Sequence, residues 1–524
     1  MKIKSFFFSG VIILCLIIFK AYSQADLPKP GESHTTFMPN GIWTWYGDPK
    51  AIYYKGKYEK TYISYYDIST PNTGKVAITS YDHATKAKQS FILDPSEGWD
   101  DHNHPSILVR NQDGRILAFW CGHSGSAMNM RVSTNPEDVS AWDATRTILS
   151  GDYGNNFTYP NPYQLKGENN RIYLFYRGID WQQTMTWSDD GGNTWVKPFK
   201  YFAGGNRPYH KYHSNGIDEI HTVIEYDNRA LPVQYLCLKK GGFYGADGKL
   251  VKTVEDVRAT GPITSSMLPN IFIRGSTTNC AVWDIALDEK GRPVFVMDSI
   301  QNGHHYYWVR WDGTKWIKKY LINSGNTMGG EFGFACGITL DHANPYIVYL
   351  SHWVTQPELE RWITNDSGNT WSKTVITANS AAMNVRPCVP RGYTGGDISV
   401  IWLYVREYGN WFGPFDADIK MYTFADHPKP PTTQIADKSI TNYLTNMLSV
   451  MPDGFLITIN NSNNNFSFKL YSCSGKLIKD FTSQLANAKN GKYYLKFKDK
   501  VHTGTYIAQL SDGKNVITKA FISF

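Results

Sequence analysis

Apolar and polar residues alternate over short stretches along most of the chain, and turns bearing Gly, Asn and Asp separate the stretches. Phe468-Lys469-Leu470-Tyr471 and Gly504-Thr505-Tyr506-Ile507-Ala508 show the pattern near one end. A period of two over such lengths is the mark of a half-buried strand. Few windows could form a long helix, so the pattern predicts an all-β chain.

Two segments repeat. Ser188-Asp189-Asp190-Gly191-Gly192-Asn193-Thr194-Trp195 and Thr364-Asn365-Asp366-Ser367-Gly368-Asn369-Thr370-Trp371 both fit S/T-x-D-x-G-x-T-W. This is the Asp-box pattern, in which Asp and Gly close a hairpin turn and Trp packs between sheets. The boxes are structural and are assigned no chemistry. They set the register of a four-strand unit, whose inner strands are expected to begin near Ala51, Pro105, Asn161, Gly216, Ala281, Gly337 and Asp397. That spacing predicts a seven-bladed β-propeller, which closes on itself and leaves no long strand edge exposed.

Both ends differ from the body. Lys2 and Lys4 precede an apolar run from Phe6 to Phe19 and the small residues Ala21 and Ser23. This is the layout of a signal peptide, expected over residues 1–23 and too short for a membrane span. The propeller is expected over 24–426. His427-Pro428-Lys429-Pro430-Pro431 opens a stiff linker, 427–440. Short alternating strands over 441–524 then predict a small β-sandwich. With its Gly-x-Tyr-Ile strand and terminal Thr-Lys-x-Phe-Ile strand, this tail resembles the C-terminal sorting domain of the type IX secretion system. That likeness implies a partner in the type IX secretion machinery, and a carbohydrate-binding sandwich is the other reading. Either one places the protein outside the cell, secreted or on the cell surface, with no membrane span in the mature form.

Composition narrows the classes. The 524 residues include 44 Gly, 17 Trp, 34 Tyr and 26 Phe with 19% charged residues, which excludes a disordered chain or a coiled coil. The formal charge of +7 resides at the ends: Lys2, Lys4 and Lys20 at one, eleven Lys against five Asp beyond residue 432 at the other. The middle is left slightly acidic. No nucleic-acid partner is expected, and an acidic polymer must be met by a few placed cations. Of the seven Cys, six follow the signal segment without a regular framework.

In a blade, the start of the first strand and the end of the second open on one face. Asp100-Asp101-His102-Asn103-His104-Pro105 opens blade two, and Trp120-Cys121-Gly122-His123 ends its second strand. Thr158-Tyr159-Pro160-Asn161-Pro162 opens blade three, Tyr176-Arg177-Gly178 ends its second strand, and Arg207-Pro208-Tyr209-His210-Lys211-Tyr212 opens blade four. Imidazole, phenol and guanidinium therefore converge where a glycosidase would carry two carboxylates. They match β-elimination from a uronic acid. Arg neutralises the carboxylate that acidifies the C5 proton, and His or Tyr exchanges protons with C5 and with the leaving oxygen.

These motifs, with Asp113-Gly114-Arg115-Ile116-Leu117-Ala118-Phe119 and a His 21 residues after the first, resemble the BNR-4 propellers and, among them, the ulvan lyases of polysaccharide lyase families 24 and 25. The resemblance implies cleavage of the sulfated uronic-acid polysaccharide ulvan, leaving an unsaturated 4-deoxy uronyl end. It implies His102 and His123 as catalytic histidines, Tyr159 as catalytic tyrosine, Arg177 as carboxylate neutraliser, and Tyr212, or else Tyr209, as a further cleft tyrosine. His104 is expected to line the cleft or to tune His102. It further implies a structural zinc that the chemistry does not require. Cys280, His304, His305, Cys336, His352 and Cys388 fall at strand ends in blades five to seven, and His305, Cys336, His352 and Cys388 are its expected ligands. Cys packing as small hydrophobes is the alternative. Two other functions stay open: a glycan-binding propeller without catalysis, and an exo-acting glycoside hydrolase or rhamnose-releasing lyase.

Overall fold

The computed structural model describes residues 34–428, 430 and 448–523, except 96–97, 152–154, 227–231, 273–279, 301–302, 329–334, 452–453, 460–465, 473–475, 486–490, 497–503 and 512–515. The expected signal segment and most of the linker lie outside the described residues. The chain divides into two compact units, Met1–Pro431 and Thr432–Phe524.

Among the described residues the first unit is seven sheets of four or five strands, antiparallel but for Ile263–Thr264, which pairs parallel with Phe199–Ala203 in the third; in chain order they are the blades of a propeller. Blade one runs from Gly41–Ile42 to Lys88–Asp94, and blade two from Ser106–Val109 to Arg146–Ser150. Blade three starts with Thr158–Leu165, Arg171–Arg177 and Gln183–Ser188, blade four with Pro208–Ser214, Glu219–Tyr226 and Gln234–Lys239. Blades five and six begin at Cys280–Leu287 and Ile338–Leu340. Blade seven holds Met383–Cys388, Val400–Tyr408 and Phe415–Tyr422, and its outer strand is Thr35–Met38 from the start of the chain, with Thr35 opposite Met421. One blade is thus made from both ends of the unit, so the ring is locked by backbone hydrogen bonds.

Two expected starts need correction. The inner strand of blade four is Pro208–Ser214, and Gly216 lies in the turn after it, at φ +70°. The inner strand of blade seven is Met383–Cys388, whereas Asp397 precedes the second strand. Met383–Cys388 is hard to recognise in sequence because its alternation is broken by a bulge between Val385 and Cys388, where Arg386 is left-handed at φ +51°.

The Asp boxes are turns between the third and fourth strands of blades three and six. Asp190 Oδ1 accepts from Asn193 N and Thr194 N, each at 2.9 Å, and Asp366 Oδ1 accepts from Thr370 N at 2.8 Å. Their tryptophans join neighbouring blades. Trp195 meets Phe119 of blade two edge-on at 5.8 Å, and Trp371 meets Trp308 of blade five at 6.0 Å. The core accordingly lies between blades, each buried large side chain contributing about 1.5–3 kcal/mol.

Where the innermost strands converge, Asp48 pairs with Lys50 at 2.5 Å and with Lys211, while Asp284 pairs with Arg391 at 3.2 Å and His342 at 2.9 Å. Such buried charges persist because each is matched. In the second unit a three-stranded and a four-stranded antiparallel sheet share one apolar core around Phe455, Phe468, Phe481 and Leu510.

Candidate active site

The chain enters blade two through a 3-10 turn, Asp101–Asn103, capped by Asp100, whose Oδ1 accepts from His102 N at 2.9 Å. The same carboxylate then serves two imidazoles. Oδ1 accepts from Nδ1 of His102 at 2.7 Å, and Oδ2 pairs with Nδ1 of His123 at 3.0 Å. The rings stack 3.8 Å apart at 6°, each with Nε2 left for other partners. A backbone bond from His123 N to Asn103 Oδ1, 3.0 Å, fixes the second ring against the first loop.

The two are not equivalent. Burial works against the charged form of His102, but Asp100 and Asp101 overcome it and push His102 up to about 9. Burial lowers His123 too, and there the single contact with Asp100 does not prevail against it and the neighbouring positive charge. The surroundings thus favour the charged form of His102 and the neutral form of His123.

Tyr159 reaches this pair through a bulge. Blade three pairs Thr158 with Arg177 and next Asn161 with Phe175, and Tyr159 between them sits at φ +57°, a strained position for a tyrosine. Asn161 Nδ2 donates to Tyr159 O at 2.8 Å and holds the bulge. The phenol ring lies 5.2 Å from His102, and burial raises Tyr159 well above the usual phenol value despite Arg177 nearby.

Arg177 is 1% exposed. Its guanidinium lies 5.0 Å from the ring of Tyr159, 5.2 Å from Trp181 and 5.5 Å from Tyr209. Nη2 donates to Thr158 Oγ1 and Nη1 to Tyr209 OH, both at 3.2 Å, while Nε has no partner. Among the described residues no carboxylate pairs with it.

The structure reverses the expected order of the two tyrosines. Tyr212 is 1% exposed in the core between blades three and four, its hydroxyl bonded to Tyr201 OH at 2.6 Å and Gln183 Oε1 at 2.9 Å. Tyr209 is the one that faces Arg177. His104 does not line the cleft either. It is 1% exposed, turns away to pack on Gly47, bonds to Pro105 O at 3.1 Å, and is driven by burial down to about 3.

The expected zinc ligands do not come together. His305 is opposite Asn323 in blade five, His352 pairs with Glu360 at 3.2 Å in blade six, and Cys336 and Cys388 are free thiols pushed up by burial to about 12 and about 11. A set that does converge is Glu219, His221 and Cys237 of blade four, whose ligand atoms lie within 4.8 Å of one another. His221 and Cys237 are register partners on adjacent strands, and His221 Nε2 lies 3.2 Å from Glu219 Oε2, the other oxygen of which pairs with Lys239 at 2.9 Å. These residues fit a zinc ion in chemistry and spacing. Glu219 and His221 alternate along one strand, a signal the sequence carried unread.

Sequence reasoning also passed over residues that shape the cleft. Tyr46 packs on Tyr209 at 4.7 Å with the rings tilted by 33°, and Phe412, 59% exposed, lies over the ring of His123 at 5.9 Å. Asp101, in sequence only part of a motif, pairs with His102 Nδ1 at 2.9 Å and with Arg386 at 2.6 Å.

Residues 60–324 match the BNR_4 family, described as BNR repeat-containing family members, and residues 452–523 match the secretion system C-terminal sorting domain. The protein is therefore exported to the cell surface or beyond. No curated protein matches the chain. Among solved structures, a PL25 ulvan lyase bound to -[GlcA(1-4)Rha3S]- is 17% identical with a TM-score of 0.59, covering 74% of this chain and 96% of its own. A second structure of a PL25 ulvan lyase is 18% identical with a TM-score of 0.57, covering 75% of this chain and 94% of its own. At these identities the likeness is one of fold.

Proposed function

Because the chain belongs to the BNR repeat-containing family and gathers two histidines, a tyrosine and an arginine in one cleft, we propose that it is a polysaccharide lyase that cleaves ulvan by β-elimination at the uronic acid. The observation that carries this reading is Arg177. A guanidinium that is 1% exposed, has an unpartnered Nε and has no carboxylate beside it among the described residues is a buried charge without a counter-ion. Such a charge is costly until an anion arrives. The uronate carboxylate takes the place of the Tyr209 hydroxyl on Nη1, and its negative charge is neutralised there.

With the carboxylate neutralised, the proton on C5 becomes removable. Neutral His123 accepts it at Nε2, the C5–H electrons form the C4=C5 double bond, and the C4–O4 bond breaks. Tyr159, kept as a phenol by burial, donates its proton to O4. His123 then returns a proton to the phenolate, and no water is consumed. His102, charged and stacked on His123, adds a fixed positive charge where the dianionic intermediate develops. A zinc ion held by Glu219, His221 and Cys237 would brace the strands of blade four, apart from these steps.

Incubation with ulvan tests the reading directly. A lyase produces the ultraviolet absorbance of an unsaturated uronyl end. A hydrolase produces reducing ends without that absorbance, and a binding protein produces neither.

A further inference from the structure

Asp100 treats the two histidines nearly alike, one oxygen for each Nδ1, at 2.7 and 3.0 Å. A shared carboxylate cannot by itself decide which ring is charged. Asp101 stands beside His102, whereas the charge of Arg177 works against protonation of His123. Asp101 Oδ1 is 2.9 Å from Nδ1 of His102, close enough to favour the imidazolium both as a hydrogen-bond acceptor and by its charge.

Asp101 is 1% exposed, so its own ionisation needs support. Support comes from the blade that closes the ring. Arg386 Nη1 donates to Asp101 Oδ2 at 2.6 Å and Tyr408 OH donates to the same oxygen at 2.7 Å. Arg386 is itself set by the bulge in its strand, by a bond from its N to Cys336 O at 2.7 Å and by Nη1 to Trp43 O at 2.7 Å. The groups that face His102 are thus Asp100 and Asp101 from its own loop, His123 from blade two, Tyr159 from blade three with Arg177 behind it, and Arg386 and Tyr408 from blade seven through Asp101.

We propose that Asp101, clamped by Arg386 and Tyr408, is a positioning residue that keeps His102 as the charged member of the stacked pair and leaves His123 as the neutral one. What the two charge states do rests on the elimination reading above, but the division of charge does not. The clamp ties the charge pattern of the cleft to closure of the ring, since Asp101 and Arg386 are 285 residues apart.

The test is nitrogen-15 NMR of the imidazoles in the full-length protein, with His102 assigned by loss of its signals in His102→Gln. In the unaltered protein His102 should stay doubly protonated through neutral pH and lose its proton near pH 9. Asp101→Asn should move that transition down by about 1–3 pH units, the usual effect of one adjacent charge. Because that variant strands the buried Arg386, Asp101→Asn/Arg386→Gln, which removes both charges, is measured beside it and should show the same shift. A wild-type His102 that is neutral near pH 7, or a transition unmoved in the double variant, overturns the proposal. Where elimination is active, the alkaline limb of kcat should shift with the NMR transition while KM changes little, an effect that loss of packing alone does not produce. A charged His102 that moves as expected in a protein without lyase activity would support the clamp and sink the lyase reading.

Discussion

The rings of His102 and His123 lie parallel at 3.8 Å while one carboxylate, Asp100, touches both. Two imidazolium ions at that distance would repel by about 4 kcal/mol at an effective dielectric of 20. In the resting cleft that repulsion favours one charged and one neutral ring, and it drives a His123 that has taken the C5 proton to pass it on. The activity profile should therefore be a bell whose acid limb lies below pH 6.5, where His123 gains a proton, and whose alkaline limb lies near pH 9, where His102 loses one. Stability follows the same groups. Because folding raises His102, its contribution is complete below about pH 6.5 and is lost as pH climbs through about 9. Asp101 is held below the usual 3.8, so its contribution is present above that value and lost on further acidification. Rates and thermal melts across pH 4–10 check both; a profile flat across the alkaline side contradicts the assignment.

Arg177→Lys keeps a positive charge but loses the planar fork that can hold a carboxylate with two hydrogen bonds. It should lower kcat on the order of 10² or more and leave KM much less affected, because the contact strengthens as charge builds on the carboxylate. Arg177→Ala with near wild-type elimination would show that the carboxylate is neutralised elsewhere.

Tyr209 and Tyr212 should separate cleanly. Tyr209→Phe removes the hydroxyl that caps Arg177 and should change kcat/KM by about tenfold, the worth of one hydrogen bond to a charged group. Tyr212→Phe should leave the rate within about twofold and cost about 1–3 kcal/mol of stability, since Tyr201 and Gln183 lose a buried partner. Steady-state kinetics with denaturant melts decides, and the reverse pattern would restore the order expected from sequence.

A chain of residues 24–428 should fold and keep its turnover, because ring closure uses only Thr35–Met38 and Phe415–Tyr422. Ending it at 426 should lower stability by about 1–3 kcal/mol. That cut removes His427, which bonds to the buried Asp341 at 2.8 Å, and Pro428, whose carbonyl accepts from Asn344 at 2.7 Å. Equal melting of the two lengths would count against a role for these contacts.

Zinc, if held by Glu219, His221 and Cys237, braces blade four rather than the cleft. Chelation should lower the melting temperature and spare the rate of the protein that remains folded. Cys237→Ser should abolish bound zinc in elemental analysis, and purified protein that never contains the metal removes the idea.

The chain by itself determined everything that rests on local chemistry. The Asp boxes are legible because an Asp closing its own turn needs only residues three and four positions away. The strand-end residues His102, His123, Tyr159 and Arg177 are legible because in each blade the same strand ends open on one face, and the structure does bring these four together. Only tertiary structure could decide between Tyr209 and Tyr212. Three residues apart on one strand, they point to opposite faces, and the packing of blade four on blade three selects which face is core. The same limit hid Arg386 and misplaced the zinc ligands. Contacts between blades depend on how far each strand end stands from its neighbours after the ring has closed, and no spacing along the chain encodes that distance.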